Sequence, residues 1–424
     1  MTRKDVERLR AATPDYHRGW GGPEYTDWRD EQMSWKSTCY LGDWSFLVDL
    51  EVSGPDALKV FQDTSVNGFG KFAIGQAKHV VQCTEAGKVV AEGVLMRMSE
   101  DTYRVQSTPA RWTAYILESG HYDATSRIID TFQFQVSGPN ALALCQKVTG
   151  AEMTDIKFMH FGEFRIAGRQ TFAVRQGMAG EIGFEFHGAA EDAEVVRAAI
   201  LEAGEAFGIR QLGRRTAMIN HLEAAFPTGG WHYLPASHGP GMEGYQAFLK
   251  RFTGWKIPPV LRGSYDPDDI SDLFMSPYDL GWGKSIRFDH DFTGRAALEH
   301  EAENPNRQRV TLEFDPHDVT EIYNSLFGET TPYDQIEIPH PTRWVTWADE
   351  VQIDGRFVGI SSTPGYSYYF RKVLSLAFVA PEVAQPGTKV NILWGSPGTP
   401  QRLISATVAP APYKTDRRRG DLGR

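Results

Sequence analysis

Apolar and polar positions along this chain regroup twice in the same way. From Leu50 to Asp63 it reads LEVSGPDALKVFQD, and from Phe134 to Lys147 it reads FQVSGPNALALCQK. In each, a short apolar strand meets a Ser-Gly-Pro turn and then an amphipathic helix opened by Asp or Asn. Gly takes the awkward dihedral, Pro fixes φ in the first helical turn, and Asp or Asn sits beside unpaired amide donors. A strand–turn–helix unit used twice predicts two related halves with a crevice between them.

The remaining pattern divides the chain into an N-terminal arm (1–45), a main domain (46–292) and a C-terminal domain (293–424). The arm is rich in aromatics and turn formers, which predicts ordered packing rather than a free tail. In the main domain VVQCTE, KVVAEGVLMRM and TYRVQST read as antiparallel strands, and DAEVVRAAILEAGEAF as a helix with Val195, Ala198, Ile200, Leu201 and Ala206 inward. An irregular Gly- and Pro-rich stretch from Pro227 to Asp291 carries one helical piece near Tyr245–Phe252. Beyond Thr293, RVTLEFD, DEVQIDGRFVGISST, LSLAFVAP and TKVNILW are short β-branched strands between turns, as in a small antiparallel barrel.

Composition narrows the function. The chain has 424 residues and a net charge of −10, which argues against nucleic acid as its partner, since phosphate binding needs a concentrated basic face. The basic run KTDRRRGDLGR reads as a frayed, solvated tail. No apolar run long enough to span a membrane and no signal-peptide core is present, and the expected location is the cytoplasm. Three widely spaced cysteines, Cys39, Cys83 and Cys145, predict buried thiols rather than disulfides or a zinc site.

Common catalytic signatures fail on inspection. GWGKS at Gly281–Ser285 lacks the first glycine of a phosphate loop, HEAEN at His300 lacks a second histidine, and DPDDISD lacks calcium-loop spacing. No metal is expected. More informative is RQGMAGEIGFEFHG, Arg175 to Gly188, where glycines keep the backbone open around Glu181 and Glu185. A carboxylate alternating with Phe184 and Phe186 on a strand is able to accept two hydrogen bonds from an amino-pyrimidine edge; a strand-surface glutamate is the plainer reading.

The repeated VSGP(D/N)AL units, GMAGEIGFEF, GRRTAMINHLEAAFP, DFTGRAALEH and GRFVGISSTPGYSYYFRKVLSLAFV resemble the folate-binding aminomethyltransferases of the glycine cleavage system. The arm sequence YTDWRDEQMSWKSTCYLGDWSF is closer to the tetrahydrofolate-dependent O-demethylases of lignin-derived methoxybenzoates. The fold this implies is α+β, an aminomethyltransferase-like folate-binding fold of three subdomains around a central channel, with a small C-terminal β-barrel.

Carried over residue by residue, the resemblance gives a divided result. Glu185 matches the glutamate that grips the pterin, Gln135 a glutamine of the same pocket, and Phe226 a stacking tryptophan. At the reacting end, Ala91 replaces the first of two acids, leaving Glu92, which argues against aminomethyl transfer. Ala217 stands for a catalytic tyrosine, Phe46 for a histidine, and Gln106 for a carboxylate-binding arginine. Loss of that arginine removes a clamp worth roughly 1.5–3 kcal/mol on a benzoate. A roomier, more neutral cavity for a larger uncharged aromatic is therefore expected, although Arg111 offers charge from another angle.

Three functions fit this profile. The favoured one is a formaldehyde lyase that cleaves hydroxymethyl-bearing aromatic dimers of the phenylcoumaran type to stilbenes and needs no cofactor. The second is a tetrahydrofolate-dependent aromatic O-demethylase, and the third a non-catalytic folate-binding protein. The partner in the first two is a small lignin-derived aromatic; a homodimer is left open. Candidate acid–base groups are Tyr25, Tyr40, His221 and Glu92. Trp44, Trp112, Tyr366 and Tyr368 are candidate walls of the slot, each with simple core packing as the alternative.

Overall fold

A computed structural model describes residues 3–17, 19–178, 180–252 and 259–422. Three sheets organise it. A five-stranded antiparallel sheet contains, in spatial order, Ala77–Cys83, Val89–Arg97, Thr102–Gln106, Asp49–Ser53 and Thr125–Ile129. A six-stranded sheet runs Ile209–Gln211, Cys39–Asp43, Thr131–Ser137, Gly183–Ala189, Arg169–Arg175 and Phe161–Ile166. The VSGP units supply one strand and one helix to each: Asp49–Ser53 with Ala57–Thr64, and Thr131–Ser137 with Ala141–Thr149.

The turn glycines match closely, with φ of +133° at Gly54 and +134° at Gly138. A Cβ at Gly54 would lie 2.6 Å from Asp123 O, and at Gly138 2.7 Å from Thr38 O, so only glycine lets the neighbouring chain pass. The expected capping by Asp56 and Asn140 does not occur. Asp56 instead accepts from the amide of Asp123, and Asn140 donates to Phe207 O. The two side chains fasten each helix start to an adjacent loop.

The third sheet closes into a six-stranded barrel: Thr346–Ile353, Arg356–Ser362, Lys372–Val379, Gln308–Phe314, Arg402–Ala409 and Lys389–Trp394, which pairs back onto Thr346–Ile353. Its strand Arg402–Ala409 escaped the sequence pattern. Closure removes the sheet edges and encloses a core of Val351, Leu312, Ile392 and Ile404.

Two expectations need correction, for the helix and for the basic tail. The helix Ala193–Gly204 turns Val196, Ile200 and Gly204 inward, while Val195 is 40% exposed; the inward stripe lies one residue round from the expected one. The arm holds helices Arg3–Ala11 and Trp28–Ser37, and its last strand, Cys39–Asp43, sits inside the six-stranded sheet. The basic tail packs on the protein instead of fraying: Lys414 and Leu422 are buried, and Arg175 donates to Gly420 O at 2.5 Å. Gly423 and Arg424 lie outside the described residues.

Candidate active site

A cavity of about 1120 Å³ opens where the sheets, the arm and the tail meet. One wall is polar and built on paired strands. Gln135 and Glu185 stand directly opposite each other in the antiparallel pair Thr131–Ser137 and Gly183–Ala189. Strand alternation sends Phe134, Val136, Phe184 and Phe186 into the core behind the sheet, leaving Gln133, Gln135, Glu185 and His187 on the other face.

Hydrogen bonds orient this polar wall. The Tyr40 hydroxyl donates to Gln135 Oε1 at 2.6 Å and the Met178 amide at 3.3 Å, so the Gln135 NH₂ turns toward Glu185 Oε2, 3.4 Å away. Gln106 Nε2 donates to Gln133 Oε1 at 3.0 Å and lies 3.5 Å from Glu185 Oε1. His187 Nε2 is 3.0 Å from the same oxygen without hydrogen-bond geometry, its ring stacked on Phe172. Glu185 thus has only long amide contacts, and its lone pairs stay available to a ligand's paired N–H groups. That fits the amino-pyrimidine edge of a pterin.

A second wall is aromatic. His17 stacks on Trp20 at 4.6 Å, with Phe46, Trp231 and Trp344 around it at 5.2, 6.0 and 4.7 Å between ring centres. Trp44 meets Trp20 edge-on and reaches His221, whose Nδ1 is 2.9 Å from Thr228 Oγ1. Burial holds both histidines neutral: His17 is lowered to about 4, with help from Arg214, and His221 to about 3, with help from His340 and Lys414. Between the walls, Glu92 pairs with His79 at 2.9 Å, and His79 lies edge-on to Phe226 and Trp282. Burial lowers Arg111, which also faces the cavity.

The cavity therefore gathers Trp44, Phe46, Glu92, Gln106, Arg111, Gln135, Glu185, His221 and Phe226 from the sequence candidates. The other six are not among its lining residues. Tyr25 bonds Arg197 through its hydroxyl, away from the cavity, and Tyr40 sits behind Gln135. Trp112 packs edge-on against Tyr245, with ring centres 4.9 Å apart. Ala217 is fully buried in a cluster with Trp20, Trp44 and Trp231. Tyr366 and Tyr368 pack edge-on against Trp28, outside the cavity.

Between those tyrosines, Ser367 turns inward and donates to Glu223 Oε1 at 2.6 Å. Glu223 Oε2 also takes Trp35 Nε1 at 2.9 Å and pairs with Lys36 and Lys414 at 2.8 and 3.5 Å. Burial opposes this charge, but Lys414 and Lys36 outweigh it and hold the carboxyl below its usual range. The tail then continues to Arg418 and Arg419, which line the cavity rim with Lys284, Arg287 and Arg309. Burial, then Arg418, lowers Arg309 to about 10. His17, Trp20 and this cationic rim were missed, because no local pattern marks them.

Among the described residues, no cluster of His, Cys, Asp and Glu is arranged to hold a metal, and no helix is long and apolar enough to cross a membrane. The three cysteines are free and buried.

Comparison with known proteins agrees with this architecture. Residues 7–240 match the GCVT N-terminal domain. Syringate O-demethylase of Sphingobium sp. (strain NBRC 103272 / SYK-6) is 34% identical over 94% of this chain and 90% of its own. Sesamin methylene transferase of Sinomonas sp. (strain No.22) is 34% identical over 92% and 89%. The glycine cleavage system aminomethyltransferase T from Bartonella henselae superposes with a TM-score of 0.68 over 97% of each chain, at 17% identity, and shares the fold. This chain is an enzyme of the GCVT-domain aminomethyltransferase family.

Proposed function

We propose that the chain is a tetrahydrofolate-dependent transferase that removes a methyl or methylene carbon from an aryl ether. The observation that carries this reading is one cavity with two unlike walls: a carboxylate–amide wall at Glu185 and Gln135, and an aromatic box from His17 to Trp344. The relatives named for syringate demethylation and sesamin methylene transfer support it, each matching nearly the full chain. Bound tetrahydrofolate would supply a nucleophilic nitrogen to accept the carbon.

The protein's part is binding, orientation and exclusion of water. Glu185 and Gln135 hold the amino-pyrimidine edge, while Phe226 and Trp282 offer flat faces nearby. The box receives the aromatic ring and keeps the breaking bond dry. Gln106, neutral and bonded to Gln133, offers no carboxylate clamp at its position, which favours an uncharged arene even with Arg111 on the lining. Lignin-derived methoxyarenes belong to that class.

Formaldehyde release from an aromatic dimer, favoured from sequence, remains the second reading because a cavity of about 1120 Å³ has room for such a molecule. One relative is named for O-demethylation and the other for methylene transfer, neither for formaldehyde release, and this moves the preference to transfer. The test is incubation with a neutral methoxyarene with and without tetrahydrofolate. Methyl-tetrahydrofolate and a phenol, formed only together, support transfer; folate-independent formaldehyde from a phenylcoumaran overturns it.

A further inference from the structure

His17 is placed like a working group. Its backbone is stitched to the barrel side: its amide donates to Thr342 O at 2.9 Å, its carbonyl accepts from Arg214, and Asp15 O accepts from the Trp344 amide. Its Nδ1 accepts the Gly19 amide at 3.0 Å, which places the ring's proton on Nε2. Other buried histidines nearby, His221, His232 and His340, have Nε2 atoms sealed in protein. The Nε2 of His17 has no partner among the described residues and is not sealed, and the residue lines the cavity. Gly19 is part of the device: a Cβ there would lie 2.5 Å from His17 Cε1 and 2.6 Å from Phe46 Cε1.

We propose that His17 Nε2–H holds the ether oxygen of the aromatic substrate and stabilises the aryl oxide as the C–O bond breaks. The inference rests on the transfer reading above. The bond breaks with its electron pair left on the aryl oxygen. The carbon passes to a tetrahydrofolate nitrogen, whose displaced proton balances the phenol formed. His17 keeps its own proton throughout, since a neutral imidazole serves as an electrophilic donor without ionising. Its aromatic surroundings exclude water, where such a bond counts most.

The test compares wild type, His17→Phe and His17→Gln across methoxyarenes whose product phenols span a range of acidity. His17→Phe should lower kcat by about 100-fold with weakly acidic phenols and far less with nitro-substituted ones. His17→Gln, which retains an N–H, should regain part of the loss. A loss equal across the series, or none, overturns the role. A second measurement separates this from failure of the transfer reading: the absorbance of bound 4-nitrophenol, titrated without folate. Wild type should favour the phenolate more than His17→Phe does; identical titrations defeat the role of His17 whether or not turnover is seen. Absence of turnover with every methoxyarene, beside a titration difference, defeats only the transfer step.

Discussion

The two walls of the cavity are made in opposite ways. The polar wall is laid out on neighbouring strands, where pleating alone brings Gln133, Gln135, Glu185 and His187 to one face. The aromatic wall is assembled from an arm, two loops and a turn beside the barrel, with no two of His17, Phe46, Trp231 and Trp344 on one regular element. Regular structure fixes a recognition pattern cheaply and holds it rigid. Loops from distant parts of the chain are freer to vary, which is where a family changes its substrate while keeping its cofactor.

The largest effect that bears on this contrast is expected from Glu185→Ala. Losing two charge-assisted bonds should weaken tetrahydrofolate binding by about 100-fold or more in calorimetry, with binding of a neutral arene unchanged. Equal loss for both ligands would mean that the walls do not act separately. Gly19→Ala attacks the other wall: the added carbon displaces His17 or Phe46, and kcat should fall ~10-fold with folate affinity intact. Tyr40→Phe removes one of the two donors that hold the Gln135 carbonyl and should cost a smaller ~5-fold in folate affinity, consistent with one hydrogen bond of about 1 kcal/mol.

Acid should also weaken the fold through its buried histidines. His17, His238 and His340 are lowered to about 4 and His221 to about 3, each mainly by burial, and His232 shifts the same way. Below their unfolded value near 6.5 the unfolded chain takes up protons that the folded chain refuses. Stability should therefore be full above pH 6.5 and decline as pH falls toward 4. His340→Gln should flatten the decline of Tm with pH; an unchanged slope would show that this histidine is protonated in place.

What was legible in sequence follows the same divide. The Phe184–Glu185–Phe186 alternation carried its own geometry, so the polar wall was readable from one strand. Tyr366 and Tyr368 take the alternative given for them, packing on a neighbouring ring. Gly365 and Ser367 turn inward, and a strand offers no intermediate choice, so Tyr366 and Tyr368 must face Trp28. Ala217 was assigned to the cavity by alignment, yet it is fully buried among three tryptophans and is not on the lining. His17 had no local signal because its position is decided by pairing with residues 342–344, more than 300 positions away. The basic tail looked solvated because its partner, Glu223, is also far away in sequence.

That meeting point at Glu223 has a kinetic consequence. It requires Trp35 and Lys36, Ser367 and Lys414 to arrive together, across separations of 188 and 144 residues for the two hydrogen bonds to Trp35 and Ser367. Contacts that distant carry a large loop-closure cost, which slows their formation. During refolding, circular dichroism should recover before the chain regains its capacity to bind ligand, and the interval between the two signals measures how long the junction takes to close.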